Sequence, residues 1–186
     1  MNALIIGGSR GIGAATAKLL ASSGWLVMPY GSADYDVVVK TASDLWRLFS
    51  DANRVGKYDA LIYCAGSIVL RGVYQFSYAM SFYQLVAEYG PRILNDGAAA
   101  IAISSVAAGR PARQNQDYAA SKAALESYAL TLAYSQQAID RRWRIGTIRF
   151  DLVKTDMYKQ LVDPVGNLIS AEEAAEKIVE IIHNAR

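Results

Sequence analysis

The sequence predicts an α/β architecture, a doubly wound parallel sheet of about six strands in three α/β/α layers. Short apolar runs bounded by glycines alternate with longer stretches of helical periodicity along the chain. An apolar run of such length reads as a strand buried on both faces. Strand–helix alternation then makes successive strands parallel, joined by right-handed crossovers.

Taken in order, "ALIIG" (3–7) is the first strand. "IGAATAKLLASSG" is a helix with apolar spacing at Ile12, Ala15, Leu19 and Leu20, stopped by Gly24. "WLVMPY" (25–30) is a second strand and "DVVV" (36–39) a third. "SDLWRLFSDAN" reads as a helix capped by Ser43 or Asp44. "DALIYCAG" (59–66) is a strand running into a turn, followed by a helix from about Tyr74 that Gly90-Pro91 breaks or kinks. "AAAIAISS" (98–105) is a strand, 115–138 a long helix and "RIGTIRF" (144–150) a strand that ends the sheet at its edge. The last helix, "SAEEAAEKIVEIIHNA", has Ser170 as N-cap and Glu173 in the capping-box position.

Bulk properties narrow the function. At 186 residues and 53% apolar content, the chain is expected to be a single domain spanning 1–186 with a sizeable core. A net charge of +2, with only a small basic cluster at "DRRWR" (140–144), argues against a nucleic-acid partner. One cysteine allows no internal disulfide and no cysteine metal cluster, so no metal is expected and the reducing cytoplasm suits the chain. The N-terminus lacks the features of a signal peptide, and no apolar run reaches the ~20 residues that span a bilayer, so no membrane partner is expected.

In sheets of this kind ligands bind beyond the carboxyl ends of the strands, which selects the loops 7–13, 30–32, 64–67, 104–110 and 151–157. The first loop is "GGSRGIG", with Gly7, Gly11 and Gly13 in G-x-x-x-G-x-G spacing between a strand and a helix. Glycine there permits a tight turn and lets a diphosphate approach the helix N-terminus, whose N–H groups face the anion. The alternative is a turn that only reverses the chain. In "YAASK", Tyr118 and Lys122 stand four residues apart and share one helical face, with small residues between. With 12 tyrosines and 7 lysines, roughly 0.45 such pairs are expected by chance, so the pair needs company. That company is Ser104-Ser105, at the ligand edge of the fifth predicted strand.

Four segments together, "GGSRGIG" (7–13), "AISSVAAG" (102–109), "YAASK" (118–122) and "VKTDM" (153–157), resemble the short-chain dehydrogenase/reductase family in their order and separations, over nearly the whole chain. The resemblance implies a Rossmann-like NAD(P)-binding domain and an oxidoreductase that interconverts a carbonyl and an alcohol on a small-molecule substrate. It makes Tyr118 the general acid/base, Lys122 its electrostatic partner and a ligand of the nicotinamide ribose, and Ser105 the group that positions the substrate oxygen. A free tyrosine titrates near ~10, and a cation within ~4–6 Å would bring it down by ~1–3 units. The dinucleotide would lie against Gly7, Ser9, Arg10, Gly11, Ile12 and Gly13, then Tyr30, Gly31 and Ser32, then Cys64, Ala65 and Gly66, with Tyr118, Lys122, Val153 and Thr155 at the nicotinamide. NADP(H) is favoured over NAD(H), because the second strand ends in Tyr30, Gly31 and Ser32 rather than in an acid, while Arg10 suits a 2′-phosphate. The counter-reading is a solvated Arg10 with Asp34, slightly late, reaching back.

The sequence departs from the family in three places. Cys64 replaces the first residue of Asn-Ala-Gly, where it reads as a small buried residue rather than a nucleophile. The helix before the fifth strand lacks the catalytic asparagine, leaving Ser77, Tyr78 or water as substitutes. Phe150-Asp151 stands in place of Pro-Gly before "VKT". A short loop over 156–169 leads us to expect an open pocket. These departures keep a second class in view, a dinucleotide-binding sensor of weak catalytic activity. A nucleotide-sugar epimerase would need a larger C-terminal substrate domain, and a methyltransferase would leave Ser105, Tyr118 and Lys122 unexplained. His183, the only histidine, suits the end of the last helix and rules against a Ser-His-Asp hydrolase. The tyrosines of 74–89 read as packing rather than a base-stacking platform. In the family the long helix helps form a dimer interface, and Leu125, Tyr128, Ala129 and Leu132 offer apolar contact faces, so a homodimer or homotetramer is expected.

Overall fold

The computed structural model describes residues 1–31, 50, 56–68, 73–110, 115–161 and 166–184. Among the described residues, five parallel strands form the main sheet: β1 (Asn2–Ile6), β2 (Leu26–Tyr30), β3 (Tyr58–Tyr63), β4 (Leu94–Ser105) and β5 (Arg144–Phe150), in the order β2-β1-β3-β4-β5. The helices are α1 (Gly11–Ser22), α2 (Val73–Gln84), α3 (Gly90–Ile93), α4 (Gln116–Ala133), α5 (Gln136–Asp140) and α6 (Ala171–Asn184). The fold is therefore the doubly wound, Rossmann-like α/β/α sandwich expected from the alternation.

Each strand feeds two cores, because successive side chains leave opposite faces. Leu4, Ile6, Leu61, Tyr63, Ala100 and Ala102 face one core, shared with Phe82 and Leu85 after β3 and with Leu125, Ala129 and Leu132 of α4. Ala3, Ile5, Ala60, Ile62, Ile101 and Ile103 face the other, closed by Leu20 of α1 and Ile178 and Ile182 of α6. Accordingly α2 packs on α4 at one face and α1 on α6 at the other. Full burial of each large apolar side chain contributes about 1.5–3 kcal/mol.

Register brings the carboxyl ends level: Ile6 pairs with both Tyr30 and Tyr63, Tyr63 with Ala102, and Ser105 with Phe150. The chain leaves β1 toward β2 on one side and returns to β3 on the other. The crevice therefore opens above Gly7 and Cys64, at the switch point where such sheets bind ligands.

Several boundaries differ from expectation. The predicted strand 36–39 and, Ser50 apart, the predicted helix 43–53 lie outside the described residues. β4 starts four residues early, at Leu94, through an irregularity where Gly97 has φ +77° and the pairing with β3 shifts register. The helix expected over 115–138 ends at Ala133, and Ser135 caps the separate α5 by accepting a bond from the Ala138 N–H (3.2 Å). Leu125, Ala129 and Leu132 are core residues rather than contact-face residues, while Leu130 and Tyr134 point outward. Between Gln84 and Gly90 the helix widens into a π turn over Leu85–Tyr89, which accommodates Pro91 in the first turn of α3. A Cβ on Gly90 would come within 2.9 Å of the Trp143 ring. A second, two-stranded parallel sheet, β6 (Leu152–Val153) with β7 (Leu168–Ile169), had no periodicity long enough to announce it.

Candidate active site

The glycine turn is built by exclusion of side chains. The N–H groups of Gly7 and Gly8 both donate to the Tyr30 carbonyl, at 2.7 and 2.8 Å, tying the turn to the end of β2. Gly7 has φ +83°, and a Cβ there would sit 2.7 Å from the Ala65 backbone nitrogen. A Cβ on Gly13 would collide with the Gly7 carbonyl, so α1 starts in direct backbone contact with the turn. Gly31 lies against Ser9, and a Cβ on Gly11 would be 3.2 Å from Thr155 Cγ2. A cradle of exposed backbone at a helix N-terminus, with Thr155 across from it, fits a dinucleotide diphosphate. Ile12 packs into the second core, and Ser32 lies outside the described residues.

On the other side of the crevice, α4 is fastened to the end of β4. Ser105 accepts a hydrogen bond from the Ala107 N–H (3.2 Å), which caps the 3-10 turn over Val106–Gly109. Its hydroxyl lies near enough to the Tyr118 side chain to pull the phenol's pKa down. One turn further on, the Lys122 ammonium donates to the Ile103 carbonyl (2.6 Å) and lies 5.7 Å from the centre of the Tyr118 ring. A Cβ on Gly66 would meet Lys122 Nζ at 3.4 Å, so Gly66 clears the space beside the ammonium. The structure thus brings Ser105, Tyr118 and Lys122 together, next to the glycine turn.

The electrostatics differ from expectation. Burial raises Tyr118 above the ordinary tyrosine value, and the Ser105 hydrogen bond only partly offsets this. The cation that was expected to lower it is directed at the Ile103 carbonyl instead. Burial brings Lys122 down to about 8, with Cys64 and Glu126 acting the other way. Cys64 is pushed up to about 12 by burial, against the smaller pull of Lys122, which keeps it a thiol. Its backbone N–H donates to the Ile6 carbonyl (2.7 Å), tying β1 to the β3 turn without an asparagine side chain.

The other departures have structural roles. Phe150 is buried in the second core. Asp151 accepts the Asn167 N–H (3.1 Å), and its carboxylate occupies the place a Cβ of Gly166 would need, stapling the approach to β7. Val153 is buried and pairs with Ile169. Ser77 gives its carbonyl to Ser81 (2.7 Å), and Tyr78 lies half-buried against the first core. Arg10 occupies the N-cap position of α1. Lys159 bonds Asp156 at 2.8 Å and holds its carboxyl below the usual range, with a smaller contribution from Arg10. His183 stands 6.0 Å from Trp25, remote from these residues in the fold.

Sequence reasoning overlooked one cluster. Glu126, on the same face of α4 as Tyr118 and Lys122, accepts bonds from Ser104 and from Arg149 of β5. The four-residue spacing 118–122–126 was the available signal.

A family model described as Enoyl-(Acyl carrier protein) reductase matches residues 39–181. Among solved structures, a short-chain dehydrogenase/reductase from Serratia marcescens superposes with a TM-score of 0.81 at 23% identity, covering 97% of this chain and 89% of that one. A short chain dehydrogenase from Burkholderia cenocepacia J2315 in complex with NADP gives 0.78 at 21% identity, with 97% and 89% covered. A small-chain dehydrogenase in complex with NADPH gives 0.76 at 25% identity, with 100% and 92% covered. No curated protein matches. The chain belongs to the short-chain dehydrogenase/reductase family, an oxidoreductase family of this fold.

Proposed function

We propose that this single-domain chain, residues 1–186, is an NADP(H)-dependent oxidoreductase that interconverts a carbonyl and an alcohol on a small molecule. The observation that carries the reading is the convergence of Ser105, Tyr118 and Lys122 beside a turn where Gly7, Gly8 and Gly13 leave no room for a Cβ. NADP(H) is favoured by Arg10 at the start of α1 and by the absence of an acid at the end of β2. The relatives holding NADP and NADPH support the same preference.

When bound, the nicotinamide supplies or takes up the hydride. Gly7, Ser9, Arg10, Gly11, Ile12 and Gly13 would hold its diphosphate and adenosine end, with Tyr30, Gly31 and Ser32 beside them. Cys64, Ala65, Gly66, Val153 and Thr155 would wall the nicotinamide side. Ser105 orients the substrate oxygen, and the Tyr118 hydroxyl gives it a proton in reduction and takes it back in oxidation. Lys122, 5.7 Å from the centre of the Tyr118 ring, would steady the phenolate left behind by turning from the Ile103 carbonyl, and would bind the nicotinamide ribose. The deciding experiment pairs NADPH and NADH fluorescence titrations with a screen of carbonyl substrates on the wild type and Tyr118→Phe. Loss of ~10²–10⁴-fold in turnover with unchanged NADPH affinity supports the reading. NADPH binding without turnover of any carbonyl or alcohol would favour the dinucleotide sensor, and binding of neither cofactor overturns both.

The same helical layer is proposed to make a homodimer or homotetramer. Phe76 and Met80 of α2 and Leu130 and Tyr134 on α4 and its C-cap are exposed apolar residues on the side away from the sheet.

A further inference from the structure

Residues 103 to 105 at the end of β4 each face a different turn of α4. The Ile103 carbonyl accepts Lys122 at 2.6 Å, the Ser104 hydroxyl donates to Glu126 Oε1 at 2.7 Å, and the Ser105 hydroxyl acts on Tyr118. Tyr118, Lys122 and Glu126 recur every fourth residue, so they form one stripe down the helix. The third rung is the strongest. Arg149 of β5 grips the same carboxylate in fork geometry, Nε to Oε1 at 2.7 Å and a terminal nitrogen to Oε2 at 2.6 Å. The Arg149 guanidinium also passes beside Gly109, where an added Cβ would come within 3.2 Å of it. It therefore flanks the turn that follows Ser105.

The pair is not an ordinary surface bridge. The Glu126 side chain is only 18% exposed, against 53% for Arg149, and Glu126 spends its oxygens on β4 and β5 rather than on its own helix. The carboxylate lies one turn beyond the Lys122 ammonium and acts on it electrostatically.

We propose that Glu126, clamped by Arg149 and Ser104, is a positioning residue for the Ser105–Tyr118–Lys122 set: it fixes the register of α4 on the end of β4 and gives Lys122 a fixed negative neighbour. The part concerning catalysis rests on the role proposed above for Lys122. Among the described residues, the charged and titratable groups facing Lys122 are Cys64 from the turn after β3 and Glu126 and Tyr118 from α4, with Arg149 of β5 behind Glu126.

The test follows the Lys122 proton directly. Protein labelled with ¹³C at the lysine ε-carbons, with Lys122→Met to assign the signal, is titrated by NMR in wild type, Glu126→Gln and Arg149→Met. Loss of the carboxylate makes the ammonium harder to keep, so Glu126→Gln should lower the Lys122 midpoint by about one pH unit. Arg149→Met removes a positive charge and leaves the carboxylate, so the midpoint should hold or rise. Opposed responses of this kind support the proposal. Unchanged midpoints in both variants overturn it. A fall in both also overturns it, because any break in the cluster would then merely loosen the helix. If Glu126→Gln does not fold, a fall in Arg149→Met alone is sufficient to overturn the proposal, and a hold or rise supports it. The titration needs neither cofactor nor substrate, so its failure leaves the oxidoreductase reading standing, and the converse holds.

Discussion

Lys122 is 7% exposed, and burial lowers its pKa from 10.5 to about 8. The unfolded chain keeps that proton up to about 10.5, so between the two values the unfolded state binds more protons and stability rises with pH. Below pH 8 the folded protein carries a desolvated ammonium that costs up to about 3 kcal/mol. Lys122→Met should therefore be more stable than the wild type at pH 7, and the gap should close between pH 8 and 10. Urea melts at a series of pH values read this, and a gap independent of pH would contradict it. The glycines give the opposite case, where chemistry and folding agree. Gly13→Ala drives a methyl into the Gly7 carbonyl, which should cost at least about 2 kcal/mol and abolish NADPH binding, measured by denaturant melts and fluorescence titration. These positions were readable in the sequence because glycine was the only residue type that could stand there. Glu126 shared the spacing of Tyr118 and Lys122, but its clamp was not readable, because nothing in a linear sequence pairs it with Arg149, 23 residues away on β5.

At the scale of elements, legibility followed how local the cause was. The α6 N-terminus was readable because its capping box is contained in four residues: the Ser170 N–H donates to Glu173 Oε2 (2.7 Å) and the Glu173 N–H to Ser170 Oγ (3.0 Å). Ser170→Ala should lower stability by about 1 kcal/mol, seen as a shifted urea midpoint with an unchanged m-value, since α6 closes the second core through Ala174, Ile178 and Ile182. The end of α4 was misread because "AYSQQ" keeps helical periodicity, and only the backbone shows Ser135 leaving the helix to cap α5. β6 and β7 were missed for a different reason. Two-residue strands carry no period, and their pairing is imposed by the Asp151 staple across the intervening segment.

For the molecule as a whole, the two faces of the sheet differ in what covers them. α1 and α6 lie over one core, whose outer surface includes the charged residues of α6, Glu172, Glu173, Glu176, Lys177 and Glu180. α2 and α4 lie over the other and keep large apolar side chains on the solvent side: Leu130 is 62% exposed and Tyr134 78% exposed, one turn apart, with Phe76 and Met80 likewise one turn apart on α2. Two such ridges on adjacent packed helices form a surface that a symmetric copy can cover, because an isologous contact needs one self-complementary patch. If a dimer forms there, Leu130→Glu with Tyr134→Glu should shift the protein to monomer in light scattering after size exclusion, with the melting of the monomer little changed. The variant side chains are exposed and leave Leu125, Ala129 and Leu132 in the core. An oligomer that survives both substitutions would place the interface elsewhere. A wild type that runs as a monomer at every concentration would remove the oligomer reading altogether. The proposed active site lies on the sheet-facing side of α4, through Tyr118 and Lys122. Dissociation should therefore leave NADPH affinity intact, unless the ridge also sets the register that Glu126 holds.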